Sequence, residues 1–284
     1  MPIETIIDSE SEEQILAEKG FYWREKDGVR MLVSRQLEEK GFANGFSTRT
    51  GGVSDFPENS LNLAGYDEDS EENIAENRRR FLNLFDRPFQ LASCWQIHSA
   101  DVRHVRDFDD ARDGDHRMDA LVSHVDNILL GVKTADCVPV LVGDARTGAF
   151  AAIHAGWRGT VQSIVVKAIE RLNKIYGTRP EDLTAAIGPA ATARHYEIGQ
   201  DVIDAFRANF PGSEHLFTPT KENHALIDLH TANREQLLGA GVRAENIAVA
   251  PLCTMERTDL FFSYRREKKL YGKTGRLMSV IGKK

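Results

Sequence analysis

Residues 134–159, TADCVPVLVGDARTGAFAAIHAGWRG, constrain the fold more than any other stretch of this chain. Two apolar runs, 138–142 and 149–154, flank the polar turn Gly143-Asp144-Ala145-Arg146-Thr147-Gly148. That pattern predicts consecutive strands joined as a hairpin. Elsewhere strands and helices interleave. Helices are expected over residues 10–19, 69–85, 160–176, 199–210 and 231–238. Asp69 or Ser70 can cap the second, and Gly177 closes the third. Further strands are expected over 20–23, 29–34, 46–49, 95–98, 120–123, 127–134, 184–187, 247–250 and 277–281, with an apolar-aromatic strand after residue 260. A hairpin inside such an alternation argues for a mixed sheet with helices on its faces rather than a purely parallel one. The expected class is α/β (mixed α+β), as one compact domain.

The 284 residues suffice for a sizeable core, and no repeat or linker divides them. Residues 1–40 read as an N-terminal extension packed on the rest. Net charge is -7, and the basic runs Arg78 to Arg80 and Arg265 to Lys269 are short and set among acids. They read as solvated faces, which excludes a general nucleic-acid binder. No apolar run reaches signal-peptide or membrane-spanning length. Three cysteines, Cys94, Cys137 and Cys253, with no secretion signal, point to reduced thiols in the cytoplasm.

The hairpin also suggests a site. If Val142 lies opposite Ala149, the ladder carries on to set Cys137 opposite His154, with Cβ atoms roughly 5 Å apart. A thiolate and an imidazole at that spacing can share a metal ion or act as nucleophile and base. A one-residue slip would separate them. Each residue also has an ordinary alternative, since a lone strand-end cysteine or histidine is most often structural. Gly156 and Gly159 allow close backbone approach, and the helix start after them offers N–H groups to an anion. His98 projects from another strand end, but nothing in the sequence brings it to the hairpin. His104, His116, His124, His195, His215, His224 and His230 read as surface residues.

The segments QIHSADV, DALVS, KTADCVPVLVGD, AAIHAGWRGT, DLHTANREQLLGAGV and CTMERTDLFFSYRRE, with FSTRTGGVS and SLNLAGYDED upstream, resemble the YfiH family over roughly residues 40–284. Members of that family have been called multicopper polyphenol oxidases, and also purine nucleoside phosphorylases with adenosine deaminase activity. The resemblance implies one metal, generally zinc with copper as the alternative, held by His98, Cys137 and His154. It implies a fold similar to cysteine-dependent toxin deamidases. It further implies adenosine, inosine, guanosine and methylthioadenosine as substrates with phosphate, in a monomer or weak homodimer. His230 and the run Glu267-Lys268-Lys269 depart from the family pattern without touching the ligand motifs.

Three protein ligands leave a coordination position open, as in catalytic zinc sites. Deamination would use water activated there, and phosphorolysis needs a cation near phosphate. Arg49, beside a glycine turn, and Arg158, at a helix start, are the candidate phosphate contacts; Asp136 is a candidate for proton transfer. A trinuclear copper cluster would need many more histidines than these nine, dispersed as they are. Two other readings stay open: a metal-free hydrolase with Cys137 as nucleophile and His154 as base, and a binding protein whose metal is structural.

Overall fold

The structure, a computed structural model, describes residues 12–65 and 69–284. The start of the helix expected over 10–19, and Tyr66 to Glu68 of the SLNLAGYDED segment, lie outside them. The chain runs α1 (Glu12–Glu18), β1 (Phe21–Lys26), β2 (Val29–Ser34), α2 (Arg35–Glu39), β3 (Phe42–Ser47), β4 (Ser54–Asp55), β5 (Glu58–Ser60) and α3 (Glu71–Leu82). Then come β6 (Gln90–Ala92), β7 (Val102–His104), α4 (Phe108–Arg112), β8 (Ala120–Ser123), β9 (Ile128–Thr134), β10 (Val138–Asp144), β11 (Ala149–Ala155), α5 (Trp157–Val161) and α6 (Ile164–Tyr176). The last third holds β12 (Leu183–Ile187), β13 (Glu197–Gly199), α7 (Gln200–Asn209), β14 (Phe217–Lys221), β15 (His224–Ile227), α8 (Leu229–Gly239), β16 (Ile247–Val249), α9 (Tyr264–Tyr271) and β17 (Leu277–Lys283).

Two six-stranded sheets dominate, ordered β1-β2-β3-β17-β9-β6 and β16-β12-β10-β11-β8-β7. Both are mixed: β6 runs parallel to β9, β7 to β8 and β12 to β16, and the remaining neighbours are antiparallel. Alternation along the central strands shows how the sheets stack. Val138, Val140 and Val142 belong to one apolar cluster with Ile164, Val165, Leu172, Val202, Phe206 and Leu237 of the helices α6, α7 and α8. Leu141, Phe150 and Ala152 belong to another, with Leu32, Phe46, Leu130 and Ile281 of the first sheet. The outer face of the first sheet, Met31, Val33, Met278 and Val280, packs with Phe81 of α3. The result is helix, sheet, sheet, helices, each sheet apolar on both faces. No helix among the described residues is long and apolar enough to cross a membrane.

Four expectations need correction. The β10–β11 register pairs Pro139 with His154 and Asp144 with Ala149, two residues away from the expected ladder. Asp144 continues the strand because its carboxylate accepts the N–H groups of Arg146 and Thr147 and the Thr147 hydroxyl, closing a four-residue turn. A shift of two preserves facing, since side chains alternate with period two. The helix expected from residue 160 is two helices, α5 and α6, broken where Ser163 takes the left-handed conformation at φ 61°. Residues 95–98 carry a single bridge, Trp95 to Arg117, in place of a strand. After residue 260 the chain forms α9, whose cap Ser263 accepts from the Arg266 N–H, while Phe261 and Phe262 bury themselves in the intersheet core.

Phe150 lies fully buried between the sheets, edge-on to Phe42 at 6.2 Å. Replacing Phe150 by Ala is expected to cost about 3–5 kcal/mol of unfolding free energy, read from the denaturation midpoint at constant slope.

Candidate metal centre

Topology explains why three distant residues meet. Parallel neighbours β6 and β9 leave the first sheet at the same end and cross to the second. After β6 the crossing loop holds His98 and enters β7; after β9 the crossing residues 135–137 hold Cys137 and enter β10. Strand β11 runs back against β10, so its last residues return to that end with His154. His154 and Pro139 are directly paired on the face toward the first sheet, and Cys137 is the next residue on that face.

One ligand atom each from His98, Cys137 and His154 lies within 4.8 Å of the others. Cys137 Sγ is 3.9 Å from His98 Nε2, and the two imidazoles sit edge to face at 4.9 Å. His154 is buried, Cys137 half-buried and His98 exposed, so the cluster opens to solvent on the His98 side. The backbone of Gly156 passes so close that an added Cβ would stand 3.0 Å from His98 Cδ2 and 3.1 Å from Cys137 Sγ. His98 itself adopts a left-handed backbone, φ 60°.

Asp119, fully buried just before β8, orders the site. Its carboxylate accepts His154 Nδ1–H at 2.8 Å and the backbone N–H groups of Ile97, His98 and Ser99 at 3.2, 3.0 and 2.6 Å. Those bonds hold the Asp119 carboxyl below its usual range although burial opposes them. The His154 bond also orients the ring, Nδ1 toward Asp119 and Nε2 toward the cluster. Burial would raise the Cys137 thiol, but the charge of His154 and hydrogen bonds from both histidines bring it down to about 6. Burial likewise disfavours His154 charging, yet the Cys137 charge and the Asp119 bond raise it to about 9. A thiolate with two imidazoles is a donor set that suits a borderline-soft divalent ion, and the carboxylate behind His154 is the customary outer partner.

The other expected site residues fall differently. Arg49 does not line the cleft in front of the cluster. It is buried beside Glu267 at 2.8 Å, donates to the Thr258 and Phe261 carbonyls and lies over Phe262. It is a structural cation, its glycine turn notwithstanding. Asp136 lies next to Cys137 at φ 87°, its carboxylate accepting the Thr254 and Ser263 hydroxyls and the Arg265 N–H. Burial pushes its carboxyl up. With both oxygens engaged, it braces the Cys137 loop against α9, and the proton-transfer expectation loses its geometric basis. Arg158 lines the cleft, exposed and stacked 4.3 Å over Trp157.

Sequence reasoning missed Asp119, Gln96, Tyr196, Tyr264 and Arg265, all but Asp119 lining a cleft of about 1240 Å³ with the cluster. Asp119 stands in the DALVS segment and Gln96 two residues before His98, so both were within quoted motifs. The run from Arg265 is not merely a solvated face: Arg265 reaches the cleft, and Glu267 is buried. His230 is not a surface residue either; it is buried and bonded to the Gly188 carbonyl.

A family model described as multi-copper polyphenol oxidoreductase laccase matches residues 43–284. A protein of Bacteroides thetaiotaomicron named purine nucleoside phosphorylase is 37% identical over 263 residues, covering 89% of this chain and 96% of that one. One of the same name from Deinococcus radiodurans is 38% identical over 238 residues, 84% and 87% of the two chains. The crystal structure of Bacillus licheniformis YfiH matches with TM-score 0.84 at 32% identity, covering 92% of this chain and 99% of that one.

Exchange of Asp119 for Asn removes one acceptor and turns an N–H donor toward other donors. Competition against a chelator, with zinc as the probe ion, is expected to show affinity lowered about 10–100-fold in the folded variant.

Proposed function

The chain belongs to the multi-copper polyphenol oxidoreductase laccase family, also called YfiH, and from that membership we propose that it is a zinc-dependent purine nucleoside enzyme. It would cleave adenosine, inosine, guanosine and methylthioadenosine with phosphate, and deaminate adenosine. The observation that carries the reading is the three-ligand cluster opening into a large cleft. The relatives named purine nucleoside phosphorylase supply the substrate class.

The donor set fits zinc, with His98, Cys137 and His154 holding it; when bound, it would supply Lewis acidity beside the substrate. The chain's own residues do the rest. Asp119 keeps His154 oriented, and the depressed Cys137 thiol stays a thiolate near neutral pH. Trp95, Trp157, Tyr196 and Tyr264 line the cleft and offer apolar faces to a purine. Arg158 at its rim draws in an anion. In phosphorolysis a phosphate oxygen bonds to ribose C1′ as the C1′–N bond breaks, and the departing purine takes the electron pair and a proton.

Copper oxidase chemistry finds less support. The other seven histidines are engaged elsewhere: with Tyr176 for His104 and His124, Asp113 for His116, Glu256 for His195, Glu235 for His215, and backbone carbonyls for His224 and His230. The thiolate–imidazolium pair does favour a second reading, a metal-free cysteine hydrolase. Stoichiometric zinc in the purified protein, with activity lost on chelation and restored by zinc, decides for the first.

Incubation with adenosine and phosphate is expected to yield adenine and ribose 1-phosphate, and without phosphate inosine. Absence of all three products would sink the proposal. Replacing His98 by Ala is expected to lower kcat/KM at least about 100-fold with the melting temperature little changed, since even outer partners of a bound metal cost 10–100-fold. Loss of folding instead would make the metal structural.

A further inference from the structure

Asp136, the residue before Cys137, is the hub of one wall of the cleft. Its carbonyl accepts the Ala191 N–H at 2.9 Å. Its carboxylate accepts the Thr254 and Ser263 hydroxyls at 2.7 and 3.0 Å and the Arg265 backbone N–H at 2.7 Å. Three distant segments are thereby fastened one residue away from a ligand of the metal centre. Further backbone bonds carry the first of them on to Tyr196, whose N–H donates to the Thr192 carbonyl and whose own carbonyl accepts the Ile227 N–H, both at 3.0 Å.

Arg265, the second residue of α9, projects from this hub. Its guanidinium lies 5.1 Å from the centre of the Tyr196 ring, and its Nη1 donates to the Glu197 carbonyl at 2.9 Å. Ring and carbonyl hold the guanidinium in place and leave its other N–H groups for a ligand. Among the described residues no carboxylate pairs with this charge. Asp136 takes the backbone N–H of Arg265 and is filled by two hydroxyls, while Glu197 turns its carboxylate to Thr220 and Lys221. Arg49 is the contrasting case, buried against Glu267. Arg265 is exposed, and it lines the same cleft as His98, Cys137 and His154.

A cation that is held in place but not neutralised is prepared for an anion. Its orientation is set before the ligand arrives, so little side-chain freedom is lost on binding. A guanidinium is charged at every working pH, and its planar fork matches two oxygens of a phosphate.

We infer that Arg265 is the phosphate contact of this cleft, holding inorganic phosphate on the side of the metal centre that Asp136 braces. The inference rests on the phosphorolytic reading, and it gives Arg265 the role that the glycine turn suggested for Arg49.

The test uses the full-length, zinc-loaded protein and inorganic phosphate. Calorimetry without nucleoside measures phosphate binding, and steady-state kinetics give separate KM values for phosphate and inosine. Arg265→Met keeps the backbone N–H that Asp136 accepts and removes the charge. It is expected to weaken phosphate binding and raise the phosphate KM by at least about tenfold, with the inosine KM changed less than about twofold. Arg266 is also exposed but does not line the cleft. Arg266→Met, which removes the same charge from the chain, is expected to leave phosphate binding within about twofold, because exposed charges outside a site are largely screened. Melting temperatures certify folding. Phosphate binding unchanged in Arg265→Met, an equal rise in both KM values, or an equal loss in Arg266→Met overturns the inference, as does a wild-type protein that binds no phosphate. If the wild-type protein binds phosphate through Arg265 yet shows no phosphate-dependent cleavage, the anion contact stands and the phosphorylase reading falls.

Discussion

Four N–H groups converge on the buried carboxylate of Asp119, and the rest of the site is arranged around that convergence. Three come from the backbone of residues 97–99 and one from the His154 ring. A buried carboxylate is costly unless its oxygens are satisfied, so these bonds are stabilising only as a set. They lock a loop that has no strand partner of its own to the end of β11. The left-handed backbone of His98 is held in the same way, by its own N–H on Asp119.

The second constraint is spatial. Gly156 leaves only about the room of its missing side chain between the imidazole of His98 and the thiol of Cys137. On the other flank Asp136 fastens the Cys137 loop to α9 and to Thr254. Cys137 is therefore positioned by Gly156 across the hairpin and by Asp136 beside it in sequence, and has little freedom to relax away from the histidines. Such rigidity suits a preformed ion site, in which the ligands are in place before the ion arrives.

Much of the site could be read from the chain because the hairpin is local. That Cys137 and His154 share one face followed from period-two alternation and survived a register two residues away from the expected one, although Pro139 and not Cys137 is the residue paired with His154. The error came from the turn: Asp144 looked like a loop residue by composition, but its carboxylate bonds let it extend the strand. Arg49 misled for a related reason. A glycine turn beside an arginine suits an anion site, but the buried partner, Glu267, is more than two hundred residues away in a run that reads as surface charge.

By itself, then, the sequence determined that this is a layered α/β chain with a central hairpin, and that a thiol and an imidazole share one face of it. Those properties depend on residues close in sequence, where alternation and turn chemistry act. Only the tertiary structure decided that His98 completes the cluster, that Asp119 orients it, and that Lys133 and Arg276 line the same cleft. Each of these follows from two parallel strands leaving one sheet for another at the same end, and from the pairing of β9 with β17, close to one hundred and fifty residues apart. Periodicity carries no information across such separations, because which strands become neighbours is settled by burying the apolar faces of both sheets together.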